Sequence, residues 1–371
     1  MSIRVGRVMG VPIEIHATWI IALILLSYSI GFGFIAKIHE GISAPNAAGI
    51  GGLAALLLFA CLMAHEFAHV AVARRYGINT HAVSLFVFGG SARLSRDPDE
   101  WRHELAISLA GPGVSLGLAA LFLILYLLLD ASSILATMVF YMAFANGVLG
   151  LANLLPGYPL DGGRALKAVI WRALNNRTKA SRVATLAGQC IGLTAAAYGV
   201  VMLFGRDPSG IWLLAIGWYL ADAAAREWEI EQVRVILEHS SATEIITEHP
   251  AALSPNDYIS SATDRLDADG AHCHVWPVID ESGPVGILTE SRASSVPRGI
   301  RAEKRISEVM SPIGPDGIAE ADENAWDVVE RIGELDDNGA MMVAEGNNVV
   351  GVVVKRELPR LLTSRLRAMA H

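Results

Sequence analysis

The stretch LLLFACLMAHEFAHVAVARRYG, residues 56–77, is apolar enough for a membrane-spanning helix, yet His65, Glu66 and His69 lie within it. An ionisable side chain at the centre of a bilayer costs about 3 kcal/mol or more. Such groups persist where they face a bundle interior or a watery cavity and perform a task there. His65 and His69 are four residues apart, so on a helix they share one face, a turn apart. Two imidazoles so placed can grip one zinc ion at about 2.0–2.1 Å. Glu66 is offset around the helix, where it reaches a water beside the metal more readily than the metal itself. A site of this kind needs a third protein ligand and one open position, so the trio is incomplete by itself.

The rest of the chain suits that setting. It has 371 residues, 53% of them hydrophobic and only 18% charged, which is too apolar for an ordinary water-soluble domain. The charge is divided by region: residues 1–226 carry a balance of +5 and residues 227–371 a balance of −13. This separates a membrane half from an acidic soluble half, and the acidic half argues against nucleic acid as a partner. Cys61, Cys190 and Cys273 imply no disulfide framework. The N-terminal segment has no small-residue cleavage site after its apolar run and is expected to be retained.

Apolar runs near 16–36, 50–74, 104–129, 134–155, 183–204 and 210–225 approach the roughly 20 residues that cross a bilayer. Arg4, Arg7, Arg74, Arg75, Arg93, Arg96, Arg164, Lys167 and Arg177 fall on one side of them, against Lys37 and Arg206 on the other. The positive excess marks the cytoplasmic side, so both termini are expected there, after six spans. Two segments resist a helical reading. HAVSLFVFGGSARL (81–94), β-branched and aromatic with Gly89–Gly90, predicts a hairpin between spans two and three. NLLPGYPLDGGRAL (153–166) has two prolines and three glycines at the end of span four. Irregular backbone at membrane depth is tolerated only when buried in protein or lining a cavity.

HExxH on a helix is a metalloprotease signature. The broken segment offers Asp161 as the third ligand, held by backbone that Pro156 and Pro159 stiffen and that Gly162 and Gly163 allow to turn. Asp161 could instead cap the helix beginning near Gly162. The HEFAH trio in the same half favours the ligand reading.

The pairing of HEFAH with NLLPGYPLDGGRAL resembles the site-2 protease family of intramembrane zinc metalloproteases, which shares HExxH in one span and N-x-x-P-x-x-P-x-D-G in another. Asn153, Pro156, Pro159, Asp161 and Gly162 meet the second pattern, and the likeness covers about residues 1–225. It implies one Zn2+ per chain held by His65, His69 and Asp161, with Glu66 as the catalytic proton carrier. Asn153 is a candidate for the substrate or oxyanion contact. An extended substrate segment, unwound from its helix, could pair with the hairpin at Phe88, Gly89 and Gly90. The substrate implied is a membrane-anchored protein with a transmembrane helix, cut to release a signalling or transcription regulator.

The acidic half contains a repeat. Residues 241–291 can be laid against 305–358, each unit reading as a short helix, a strand, a longer helix and two strands joined by a turn at DESG or EGNN. The repeat resembles a tandem pair of CBS domains, which implies regulation, homodimerisation, or an adenine nucleotide in the groove between modules. Thr289 fits the family's nucleotide-binding Thr/Ser and Glu357 stands in for its Asp, while Arg292 and Val354 depart from the pattern.

The expected architecture is therefore an α-helical polytopic membrane protein plus a soluble α/β tandem CBS module. Its parts are a transmembrane metalloprotease domain at 1–226, a helical linker at 227–240 and a CBS pair at 241–371, with modules at about 241–300 and 305–365. The expected location is a bacterial or archaeal cell membrane, with the CBS pair cytoplasmic. The main rival is a CBS-regulated transporter or channel in which the His/Asp set is an ion site; it leaves Glu66 without a role.

Overall fold

In a computed structural model the described residues are 2–86, 89–261, 274–314, 317–333, 335, 339–346 and 348–362. They divide into two compact units, residues 1–231 and 232–371.

The first unit opens with a hairpin, β1 (Ser2–Val8) and β2 (Val11–His16), whose turn places Met9 and Gly10 at positive φ. A helical span follows, built from α1 (Thr18–Tyr28), a π-helical stretch Ser29–Ile35 and the single turn α2 (Ala36–Ile38). It packs on α3 (Ala44–Arg75), where Gly31 and Gly51 bring the two backbones into contact. A β-carbon on Gly51 would lie 2.7 Å from the Gly31 nitrogen, so only a residue without a side chain fits.

The expected hairpin is present as β3 (Thr80–Phe86) and β4 (Gly89–Leu94). It is part of a four-stranded sheet of order β1-β2-β3-β4, in which β2 and β3 run parallel. The N-terminal hairpin is an addition to the sequence expectation, and it leaves β4 at a sheet edge. Glu14 of β2, buried beside that sheet, is held by Arg93 of β4 at 2.6 Å and Arg4 of β1 at 3.2 Å. His16 donates to or accepts from Thr18 at 2.9 Å and lines a cavity of about 460 Å³ with Glu14, Ser84 and Arg93.

The remaining helices are α4 (Trp101–Leu127), α5 (Ile134–Asn153), α6 (Asp161–Leu174), α7 (Arg177–Phe204) and α8 (Gly210–Leu237). Local signals set their ends. The Ser133 hydroxyl accepts from the Ala136 N–H at 3.1 Å to start α5, and Asn176 caps α7 in the same way. Asn175 ends α6 in the left-handed region at φ 48°. Large apolar side chains point outward, with Phe204 86% and Trp218 70% exposed, the inverse of a water-soluble bundle and the pattern of helices solvated by lipid tails.

Five helices among the described residues are long and apolar enough to cross a membrane. The sixth apolar run of the sequence forms the first part of α8, which meets Asp222, Arg226 and Glu227 before it has gone the length of a bilayer. α8 continues through the predicted linker, and the boundary between the units falls inside it.

The second unit contains two three-stranded sheets. One joins β5 (Val275–Asp280), β6 (Gly283–Thr289) and β7 (Ser311–Pro312); the other joins β8 (Ile318–Glu320), β9 (Ala340–Glu345) and β10 (Asn348–Val354). Each unit of the repeat shows the expected pair of strands, the longer helix expected in the first lies largely outside the described residues, and the leading turns are exchanged. Ala242 and Ile245, at the head of the first repeat, pack with Ala325, Val343 and Val353 of the second. Ile306, at the head of the second, packs with Leu253, Trp276 and Leu288 of the first. The exchange suits small modules, because each completes a core that its own contiguous segment leaves open.

Candidate active site

His65, Glu66 and His69 lie on α3, all buried, and Asp161 is the first residue of α6. The fold brings the two elements together. His65 Nε2 lies 3.1 Å and His69 Nε2 3.3 Å from Asp161 Oδ2, and the three donor atoms all fall within 4.8 Å of one another. The imidazole rings meet edge to face, with centroids 5.0 Å apart and planes at 73°.

The other ring nitrogens show whether this set fits a metal. His69 Nδ1 is 2.7 Å from the Ile107 carbonyl oxygen, which can only accept, so Nδ1 carries the proton and Nε2 presents a lone pair. His65 Nδ1 is 2.9 Å from the Ser115 hydroxyl, which can accept from it in the same way. Two lone pairs and a carboxylate oxygen then converge in a buried pocket, an arrangement that repels itself unless a cation lies among them. Imidazole and carboxylate ligands with outer hydrogen bonds of this kind suit zinc. The residues present fit the ion.

Glu66 lies outside the close group of three and against the sheet. A β-carbon at Gly90 would come within 2.8 Å of Glu66 Cγ and 3.0 Å of Oε1, so the backbone of β4 passes directly over this carboxylate. Phe88 lies outside the described residues. Asn153 ends α5 and donates its side-chain amide to the Leu149 carbonyl of its own helix at 3.0 Å, so that N–H is engaged away from the triad.

Sequence reasoning left out the support for these groups. Ser115, Ile107 and Gly111 all lie on α4, and the signal available was the small-residue run LAGPG, 109–113. A second omission is Glu104, whose Oε1 accepts from Arg164 Nε at 2.9 Å and lies 3.7 Å from Lys167 Nζ. An acidic residue inside an apolar span was the clue to it.

In the second unit, Thr289 accepts from the Arg292 N–H at 3.3 Å and so caps the helix Glu290–Ser295. With His274, Glu290, Val354 and Arg356 it lines a cavity of about 250 Å³. Glu357 is paired with Arg356 at 3.7 Å and Arg360 at 3.5 Å.

Comparison with known proteins agrees with this chemistry. The pattern of Peptidase family M50 matches residues 53–131 and 130–197, and that of the CBS domain matches residues 242–296. A Mycobacterium tuberculosis protein named as a zinc metalloprotease, Rip3, is 30% identical over 377 residues, covering 97% of this chain and 93% of its own length. A zinc metalloprotease of Methanocaldococcus jannaschii is 26% identical over 364 residues, covering 98% of this chain and 96% of its own. Among solved structures, the site-2 protease from Methanocaldococcus jannaschii aligns over 62% of this chain and 95% of that one, at 27% identity and a TM-score of 0.45. With a histidine pair, a facing carboxylate and five apolar helices on one side of its domain boundary and a CBS module on the other, the chain belongs to peptidase family M50, the site-2 protease family of membrane zinc metalloproteases.

Proposed function

We propose that the protein is an intramembrane endopeptidase that hydrolyses a peptide bond within or near the transmembrane segment of a membrane-anchored protein. The observation that carries this reading is the convergence of His65, His69 and Asp161 inside a unit of lipid-exposed helices, with Glu66 beneath an edge strand.

His65, His69 and Asp161 hold the zinc, which when bound supplies Lewis acidity to a carbonyl and brings the pKa of a water toward about 7. Glu66 takes a proton from the attacking water on its carboxylate and returns it to the leaving amide nitrogen. The N–H of the Asn153 amide that is not given to the Leu149 carbonyl serves the developing oxyanion or the substrate backbone. A helix sequesters its own amides, so the substrate must unwind before cleavage. Strand addition to the edge of β4, at Gly89 and Gly90, holds such a segment extended and delivers it over Glu66.

The CBS pair regulates this activity or joins two chains, and the cavity at Thr289 is the candidate nucleotide site, with Glu357 next in sequence to its lining residue Arg356. With the apolar start of α8 crossing as a short sixth span, which a locally thinned bilayer accommodates, both termini and the CBS pair face the cytoplasm, where the positive loops lie. The product is a released signalling or transcription regulator. The test is co-expression with candidate single-span proteins, comparing wild type with Glu66→Gln and Asp161→Ala. Cleavage by wild type alone is expected; equal cleavage by both variants overturns the reading.

A further inference from the structure

α4 supplies none of the three metal ligands, yet one face of it serves all of them. Glu104, Ile107, Gly111 and Ser115 recur at three- and four-residue intervals and so form a single stripe along the helix. Ser115 meets His65, the Ile107 carbonyl meets His69, and Gly111 leaves the space in which both rings lie. The remaining member of the stripe, Glu104, grips α6. It is 1% exposed, and its Oε1 accepts from Arg164. Arg164 stands three residues after Asp161, on the same face of α6 one turn along.

This cluster needs an explanation other than stability. A buried carboxylate beside a buried lysine and a half-buried arginine in an apolar bundle carries a large desolvation cost, and well-packed apolar residues commonly do as well or better. Glu104 Oε2 is buried with no hydrogen-bond partner among the described residues, so the group is not even fully satisfied. What an ion pair with a fixed guanidinium geometry does provide is register. Close backbone contacts at Gly162 and Gly163 set how near the start of α6 approaches the preceding loop. Farther along α6, Arg164 meets Glu104 and adds a directional contact to them.

The geometry assigns Glu104 as a positioning residue that, through Arg164, sets the rotation of α6 and so holds the Asp161 carboxylate against the two histidine nitrogens. α4 thereby acts as the template for the whole ligand set, two ligands directly and the third through α6. This inference rests on the reading of His65, His69 and Asp161 as the metal ligands.

The test is zinc retention in the purified, full-length protein. Zinc content and the rate of zinc loss to a chromogenic chelator are measured for wild type, Asp161→Ala, Glu104→Ala and Arg164→Lys, with the thermal midpoint of each chelator-stripped form. Arg164→Lys keeps the charge and loses only the planar geometry, so it remains informative if Glu104→Ala does not fold. Zinc loss about 10–100-fold faster than wild type is expected for Glu104→Ala and Arg164→Lys, the range seen when outer partners of a metal site are removed, and at least as fast for Asp161→Ala, which removes a ligand. The stripped form of Arg164→Lys is expected to keep the wild-type midpoint. If Asp161→Ala loses zinc while Glu104→Ala and Arg164→Lys hold it like wild type, the positioning role is overturned and the ligand set stands. If Asp161→Ala itself holds zinc like wild type, the ligand reading fails and takes this inference with it. Faster loss matched by an equally lowered stripped-form midpoint in both cluster variants assigns the cluster to folding and also overturns the inference.

Discussion

A β-carbon at Gly111 would fall 2.6 Å from His65 Nε2, and closer still to the same atom of His69. Helix α4 therefore approaches the two candidate metal-binding rings so closely that only a residue without a side chain fits there. Gly111→Ala is expected to favour the helix by about 1 kcal/mol in propensity while pushing both rings off their positions. Bound zinc should fall at least tenfold with helical content unchanged, by metal analysis and circular dichroism on the same sample. Full zinc occupancy in this variant would mean that the rings tolerate displacement.

Glu66 touches the backbone of β4 and takes no part in the close group formed by His65, His69 and Asp161. Glu66→Gln should therefore keep wild-type zinc content and lose about 10²–10⁴-fold in cleavage rate, the usual contribution of a positioned acid–base group. Loss of zinc in this variant would give the residue a ligand role instead.

Ser115 is fully buried and spends its hydroxyl on His65 Nδ1. Ser115→Ala leaves that N–H without a partner and the ring free to turn. Zinc affinity about 10–100-fold weaker is expected, read by competition with a chelator. Ser115→Thr, which retains a hydroxyl, should recover part of it.

α7 and α8 are packed backbone to backbone. A β-carbon at Gly192 would sit 2.6 Å from both the Ala221 nitrogen and the Gly217 oxygen, and one at Gly199 would lie 2.7 Å from the Gly210 oxygen. Small residues at such interfaces let helices associate in lipid, where no hydrophobic drive between them exists. Gly192→Leu should force the pair apart and cost about 1–3 kcal/mol, seen as a lowered thermal midpoint in detergent. An unchanged midpoint would show that this contact is not limiting.

Burial pushes the carboxyl of Glu248, in the second unit, above the ordinary range, although its Oε2 accepts from the His274 and Val275 N–H groups. A raised acid favours the folded state while protonated. That contribution is present below the unfolded value of about 4.3 and is lost as pH rises through the higher folded value. Glu248→Gln cannot ionise, so its unfolding midpoint should gain on wild type as pH rises from about 4 through the raised folded value. A difference that stays constant with pH would rule out this titration.

How much could be read from the chain alone follows from how local each feature is. HEFAH announced a metal pair because four-residue spacing on a helix fixes two side chains on one face whatever surrounds them. Asp161 stood out as an acid on broken backbone, and the repeat in the acidic half was visible as matching segments. The groups that orient the ligands were less legible. The Ile107 carbonyl carries no residue-type signature, and Ser115 lies fifty positions from the histidine it holds. The parallel pairing of β2 with β3 and the exchange of leading turns in the CBS pair join segments distant in the chain, as does the grip of Glu104 on Arg164. The Asn153 amide, by contrast, turned to a carbonyl only four residues away, a choice of rotamer and not of pattern. Sequence by itself determined which side chains could hold a metal, because that choice is chemical and local. Tertiary structure decided how they are aimed, because aim is set by whichever distant backbone packs behind them, here one face of α4 built around Gly111.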